Sequence, residues 1–186
     1  MSETTYRSPE EFEKFVQDNI LGRTFPKSSP NDGDIGIVVE KLCFGNKLSN
    51  KQKDIQFEED YPNYELKVMN KKGSNSIHIS SLTKNKYSKF QAIEYSLEKI
   101  KNTYIIIGES CECESFNSDT NETVMIPGWK YTEFSEYTDL NEGLMREALN
   151  TRSGQGDTRH ATSVSYPQFF AAFNTKYDIT LDKNLN

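Results

Sequence analysis

The chain has no long hydrophobic run, only two histidines and an odd number of cysteines, and each shortage removes a class of protein. No apolar stretch approaches the roughly 20 residues needed to span a bilayer, so no transmembrane helix and no membrane partner are expected. The opening residues, Met-Ser-Glu-Thr-Thr-Tyr-Arg, lack the basic-then-apolar form of a secretory signal. Cys43, Cys111 and Cys113 are too few, and odd in number, for a disulfide framework, and agree with a reducing compartment. These observations predict an intracellular, cytoplasmic protein. Cys111-Glu-Cys113 could offer thiolates to zinc, but neither His78 nor His160 stands at ligand spacing from it, which argues against a metal role there. Cys43, on the apolar side of a predicted helix, reads as a small buried hydrophobe.

At 186 residues, a third of them apolar and with ten Tyr and eleven Phe, the chain can bury a real core as one domain, residues 1–186, without repeats. The net charge of −6 is unevenly spread. Residues 1–40 carry four basic and eight acidic groups, residues 41–101 twelve and seven, and residues 102–186 six and thirteen. The middle third is therefore +5 in an acidic protein, and a local basic patch is what phosphate contact requires. A solvated lysine-rich hairpin is the plainer explanation for the same charges.

Ser8-Pro-Glu-Glu opens a helix whose apolar stripe is Phe12, Phe15, Val16 and Ile20 with Leu21. Residues 23–34 read as a loop, and residues 34–44 as a helix apolar on nearly every side. Two strands of a hairpin are expected over 54–57 and 64–69, a third strand over 76–82, a polar loop over 84–89 and a helix over 90–101. The run Thr103-Tyr-Ile-Ile-Ile-Gly108 reads as a central strand covered on both faces. Residues 109–128 read as an acidic loop, with Val124-Met-Ile as a possible further strand, and 129–137 as an aromatic segment on the core. A helix is expected over 140–149, a glycine-rich polar loop over 150–160 and an aromatic helix over 165–177, with a short strand or frayed tail to finish. The alternation of helices and strands predicts an α/β fold with a mixed β-sheet core flanked by helices.

Four side chains in the basic stretch stand out: Glu40 within an apolar helix, Asp54 fourteen residues later, and Glu65 and Lys67 in Tyr-Glu-Leu-Lys. A Glu and a Lys two apart on a strand point to one face, because side chains alternate with a period of two. That sets a carboxylate suited to a hard divalent cation beside an ammonium able to polarise water, and an Asp from the preceding segment can add to the oxygen ligands. Glu40 in a buried helix needs a partner, either a lysine or this site.

The stretch Gly33-Asp-Ile-Gly36-Ile-Val-Val-Glu40, the interval to Asp54, Tyr-Glu65-Leu-Lys67 and Ile77-His-Ile-Ser-Ser-Leu-Thr83 together resemble the MutH-type endonucleases, a branch of the PD-(D/E)xK nuclease superfamily that includes type II restriction enzymes. The resemblance covers about residues 30–108, the catalytic core, and leaves 109–186 to DNA recognition or dimer contacts. It departs at Lys53, where the family often has proline before the first Asp, and in a longer hairpin turn.

The resemblance implies a restriction-endonuclease-like fold and a sequence-specific DNA endonuclease, in a prokaryotic or phage setting, that leaves 5′-phosphate ends. Mg2+, for which Mn2+ can substitute, would be held by Asp54, Glu65, the carbonyl of Leu66 and Glu40, with Lys67 positioning the attacking water. Double-stranded DNA is the implied partner, and cutting both strands at once would call for a homodimer or an accessory activating protein. Lys84, Lys86 and Lys89 are candidates for phosphate contacts. Arg152, Gln155 and Arg159, in one polar loop, carry the donors that read base edges. Two alternatives stay open: a non-cleaving DNA-binding protein of the same fold, and an acidic protein-interaction domain.

Overall fold

Two aromatic-rich cores sandwich one twisted sheet. The computed structural model describes residues 6–45, 55–73, 76–152 and 158–182, with side chains as far as residue 180. The elements run α1 (Pro9–Asn19), β1 (Thr24–Pro26), α2 (Asp34–Phe44), β2 (Glu65–Asn70), β3 (Ser76–Thr83), α3 (Lys89–Lys99), β4 (Thr103–Asn117), β5 (Glu122–Leu140), α4 (Glu142–Ala148), β6 (Asn150–Arg152), β7 (Arg159–Ser165), α5 (Tyr166–Ala171), β8 (Phe173–Asp178) and α6 (Ile179–Asp182).

The main sheet has the order β1-β5-β4-β2, with β8 also paired to β5. Its β2–β4 pair is parallel and the rest antiparallel, so the sheet is mixed. A second sheet has the order β3-β7-β6. Among the described residues β2 is therefore the edge strand of the main sheet, and no helix is long and apolar enough to cross a membrane.

Period-two alternation assigns the faces. Leu66, Val68, Tyr104, Ile106, Tyr131 and Phe134 point into the first core, with α1 and α2. Met69, Ile105 and Tyr137 point into the second, with β3, α3, α4, β7 and α5. Phe12 of α1 is fully buried in the first and meets the rings of Tyr6, Phe44, Tyr104 and Phe134. Gly108 must be glycine here, since a Cβ would stand 2.9 Å from the Tyr131 ring and 3.1 Å from Ile35.

Local signals explain the two helices nearest the site. The helix α2 occupies the expected residues, buries Ile35, Val38, Val39 and Cys43, and stops at left-handed Gly45. Burial pushes the Cys43 thiol up to about 12, as suits an inert core residue. The helix α3 is opened by a full capping box: Ser88 accepts from the Gln91 amide and Gln91 accepts from the Ser88 amide.

Several expectations are corrected. The loop at 23–34 contains β1, which pairs with β5. The expected strand over 54–57 is, in its described part, a single bridge between Ile55 and Tyr64. Residues 109–128 are no loop, because β4 continues to Asn117 and β5 returns from Glu122, the two paired along their length. The helix expected over 165–177 stops at Ala171, and its second half becomes β8 against β5. The tail from Ile179 is a short helix. The polar segment 150–160 is bordered by two strands, β6 and β7.

The strap that ties β1 to α2 is set by Asp34. Its buried carboxylate accepts hydrogen bonds from the Ser28 amide (3.0 Å), the Ser28 hydroxyl and the Trp129 indole N–H (2.9 Å). Burial pulls this carboxyl upward, but the bonds from Ser28 and Trp129, with the charge of Lys41, hold it below its ordinary value of 3.8. A depressed folded-state value means the stabilisation is complete above the ordinary value and is lost as pH falls through the folded one. Acid titration of unfolding is therefore expected to show a stability loss starting near pH 4 that is reduced in Asp34→Ala, which has already lost those bonds at neutral pH.

Candidate active site

The strand β2 delivers Glu65 and Lys67 to one face, as the spacing predicts. Lys67 Nζ lies 2.9 Å from Glu65 Oε1, and a second ammonium, Lys99 Nζ from α3, lies 3.5 Å from the same oxygen. The Glu65 side chain is 1% exposed, Lys99 10% and Lys67 21%. The other carboxylate oxygen, Oε2, is buried without a hydrogen-bond partner among the described residues. A buried charged oxygen left unsatisfied is costly, and a hard cation is one species that would satisfy it.

Main-chain geometry adds a second oxygen on the same strand. The Glu65 amide donates to Asn102 O and the Lys71 amide to Gly108 O, so the odd-numbered residues of β2 direct their amides and carbonyls to β4. The carbonyl of Leu66 therefore points the other way, to the side of β2 away from β4. Beside the start of β2, the amide and carbonyl of Ile55 both bond to Tyr64, the residue before Glu65. Asp54, covalently joined to Ile55, lies outside the described residues.

Glu40 is carried by α2, on the opposite face of the sheet from Glu65 and Lys67. It lies one turn beyond Gly36 on α2, whose Cβ position would sit 3.9 Å from Val68 Cβ, and Val68 faces the first core. Glu40 is half-buried, with one oxygen fully covered. Among the described residues, no three His, Cys, Asp or Glu side chains gather closely enough to hold a metal ion. The donor set fits a divalent cation in type, through the orphaned Glu65 oxygen and the Leu66 carbonyl.

Lys67, with Lys99, opens onto a cleft of about 510 Å3, walled by β3, the turn after it, α3 and Arg159 of β7. Its cations are Lys67, Lys86, Lys99 and Arg159. A bulge in β3 shapes it: the register with β7 shifts between His78 and Ser80, and the carbonyl of Ile79 accepts from Lys99 Nζ at 3.2 Å. His78 lines the same wall. Desolvation there, followed by the charges of Lys67 and Lys99, lowers its imidazole below the ordinary value, so it is neutral at pH 7. The Tyr95 hydroxyl is raised, first by burial and then by the charge of Glu65.

The structure divides the proposed DNA contacts. Lys86 and Arg159 line the cleft, and Arg159 donates to the Ser81 hydroxyl (2.7 Å) and carbonyl (2.6 Å). Lys89 and Arg152 line a separate depression of about 570 Å3. The Lys84 amide donates to Thr158 O, tying the turn after β3 to the start of β7. Gln155 lies outside the described residues. Lys99, Tyr95 and His78 were not singled out in the sequence. The signal was there: Tyr95 and Lys99 are one turn apart beside the apolar stripe of α3.

No protein-family model matches the chain, and no curated protein matches it. Among solved structures it is similar to the restriction endonuclease MvaI in complex with its cognate DNA substrate, with a TM-score of 0.55 and 13% identity over 96% of this chain and 99% of that one. A likeness at that identity speaks to architecture, and nothing in it singles out the MutH branch. The chain has a restriction-endonuclease-like fold, a mixed sheet flanked by helices.

Proposed function

We propose that this protein is a metal-dependent endonuclease that hydrolyses phosphodiesters of double-stranded DNA, with its active site around Glu65 and Lys67 of β2. The observation that carries the reading is the pairing of Glu65 and Lys67 on one face of an edge strand, with one Glu65 oxygen unsatisfied among the described residues, beneath a cleft lined by cations. The likeness to a DNA-bound restriction enzyme supports the substrate class.

In this reading Glu65 and the Leu66 carbonyl, with Asp54 and Glu40, would hold Mg2+ or Mn2+. When bound, the ion supplies Lewis acidity to the phosphoryl group and acidifies a water. Lys67 orients the attacking water and offsets the charge that builds on the phosphorus-bound oxygens. Lys67 and Lys99 both hold Glu65 through Oε1, which leaves Oε2 for the ion. Lys84, Lys86 and Lys89 neutralise backbone phosphates, while Arg152 and Arg159 carry donors for base edges. Water adds to phosphorus, the P–O3′ bond breaks, and the product carries a 5′-phosphate.

A second reading is a DNA-binding protein of the same fold that does not cut. A supercoiled plasmid with Mg2+ or Mn2+ separates the two. The nuclease reading expects conversion to nicked or linear DNA, slowed roughly 100-fold or more in Lys67→Ala, with ends that ligate without prior phosphorylation. A gel shift with intact plasmid under every metal condition would favour the binder. No shift at low salt would favour the acidic interaction domain.

A further inference from the structure

The far ends of β4 and β5 form an arm that the nuclease reading leaves without a task. Beyond Gly128, the last residue of β5 in register with β1, one further bond joins the Lys27 amide to the Pro127 carbonyl, and from there to Asn117 and Glu122 the two strands pair with each other alone among the described strands. That is roughly 20 Å of two-stranded ribbon at 3.3 Å per residue. Such a ribbon is marginally stable in water by itself, yet this one exposes Phe116 (63%), Met125 (54%) and Val124 (42%).

The register sorts its faces. Glu112 stands opposite Pro127, Glu114 opposite Met125 and Phe116 opposite Thr123, so one face carries two carboxylates, a thioether and a phenyl ring. Asp119 and Glu122 add to the negative charge, and no basic residue occurs between Glu109 and Gly128. A surface of this sign repels a nucleic-acid backbone and suits a partner that is basic and apolar together. The chain itself carries one: Phe90 is 67% exposed at the start of α3, flanked in sequence by the exposed Lys86 and Lys89.

We infer that the β4–β5 arm is a self-association element, docking its Glu112–Glu114–Phe116–Met125 face on the Lys86–Lys89–Phe90 surface of a second copy. A two-fold axis makes the contact reciprocal, each arm covering the other copy's patch. Phe116 and Met125 bury against Phe90 while the carboxylates face the lysines, so the dimer weakens as salt rises. The covered lysines are those assigned to phosphates under the proposed function. Dimer and DNA-bound forms therefore exclude one another, and that corollary alone rests on the nuclease reading.

Sedimentation velocity of the full chain, without DNA, tests the inference. A concentration-dependent species of twice the monomer mass is expected at low salt. Phe116→Ser with Met125→Ser, and separately Lys86→Glu with Lys89→Glu, should each weaken association by about tenfold or more with the circular dichroism unchanged. Combining the lysine reversals with Glu112→Lys and Glu114→Lys should restore it. A chain that cuts no DNA but follows this pattern supports the inference. A monomer at every concentration, or a dimer indifferent to these substitutions, overturns it.

Discussion

Replacing Glu65 with glutamine is expected to slow Mg2+-supported cleavage of duplex DNA by roughly 10²–10³-fold, while affinity for DNA without metal stays level or rises. The side chain keeps its size but loses the charge that faces two ammoniums, Lys67 at 2.9 Å and Lys99 at 3.5 Å. A neutral amide is a poor ligand for a hard divalent cation, which prefers charged oxygen. The two lysines, no longer neutralised, present more positive charge to the phosphates in the cleft. A purely structural Glu65 would lose binding and cleavage together. Removing one member of a buried ion pair costs about 3–5 kcal/mol, so a thermal melt must accompany the assay. Assays run well below the variant's melting temperature then separate lost chemistry from lost fold. Loss of cleavage with retained or stronger gel shifts is the expected pattern.

The second large effect concerns the support of that edge strand. Phe12→Ala is expected to lower the unfolding free energy by about 3–5 kcal/mol, read from urea denaturation. Phe12 is fully buried and touches four other rings, two of them on β4 and β5. Its loss leaves a cavity between α1 and the sheet that Tyr104 and Phe134 cannot close without leaving their own contacts. Because β2 pairs only with β4 within the described main sheet, loosening β4 loosens the strand that carries Glu65 and Lys67. Activity should therefore fall with temperature earlier than in the parent chain, although Phe12 lies on the face away from the cleft.

The parts of the fold legible from sequence are those with a strong local signal. The apolar run Ile35–Phe44 closed by Gly45 marks α2, and Ser88 with Gln91 marks the start of α3. The first half of β4 was visible because Tyr104, Ile105 and Ile106 are buried on both faces. Its second half was not, since Glu109, Glu112 and Glu114 alternate with small residues and no apolar face repeats. The stripe Tyr166, Phe169, Phe170, Phe173 has helical spacing, yet Phe173 reaches the same aromatic cluster from β8. Tertiary pairing with β5 overrode the local pattern.

The site divides in the same way. Glu65 and Lys67 were readable because two residues on one strand share a face by geometry alone. Lys99 was not, because its partner lies on a different element far back in the chain, and only the tertiary fold brings the end of α3 to Glu65. The lysines at 84, 86 and 89 cluster in sequence, but α3 begins between them and turns Lys86 and Lys89 to different depressions.

Anomalous diffraction from crystals of the chain with a DNA duplex and Mn2+ tests the central claim most directly. A manganese peak within bonding distance of Glu65 Oε2 and the Leu66 carbonyl, with a phosphate beside Lys67, is the predicted result. A cation bound elsewhere, or Glu65 still held only by its two lysines with DNA in the cleft, would contradict it.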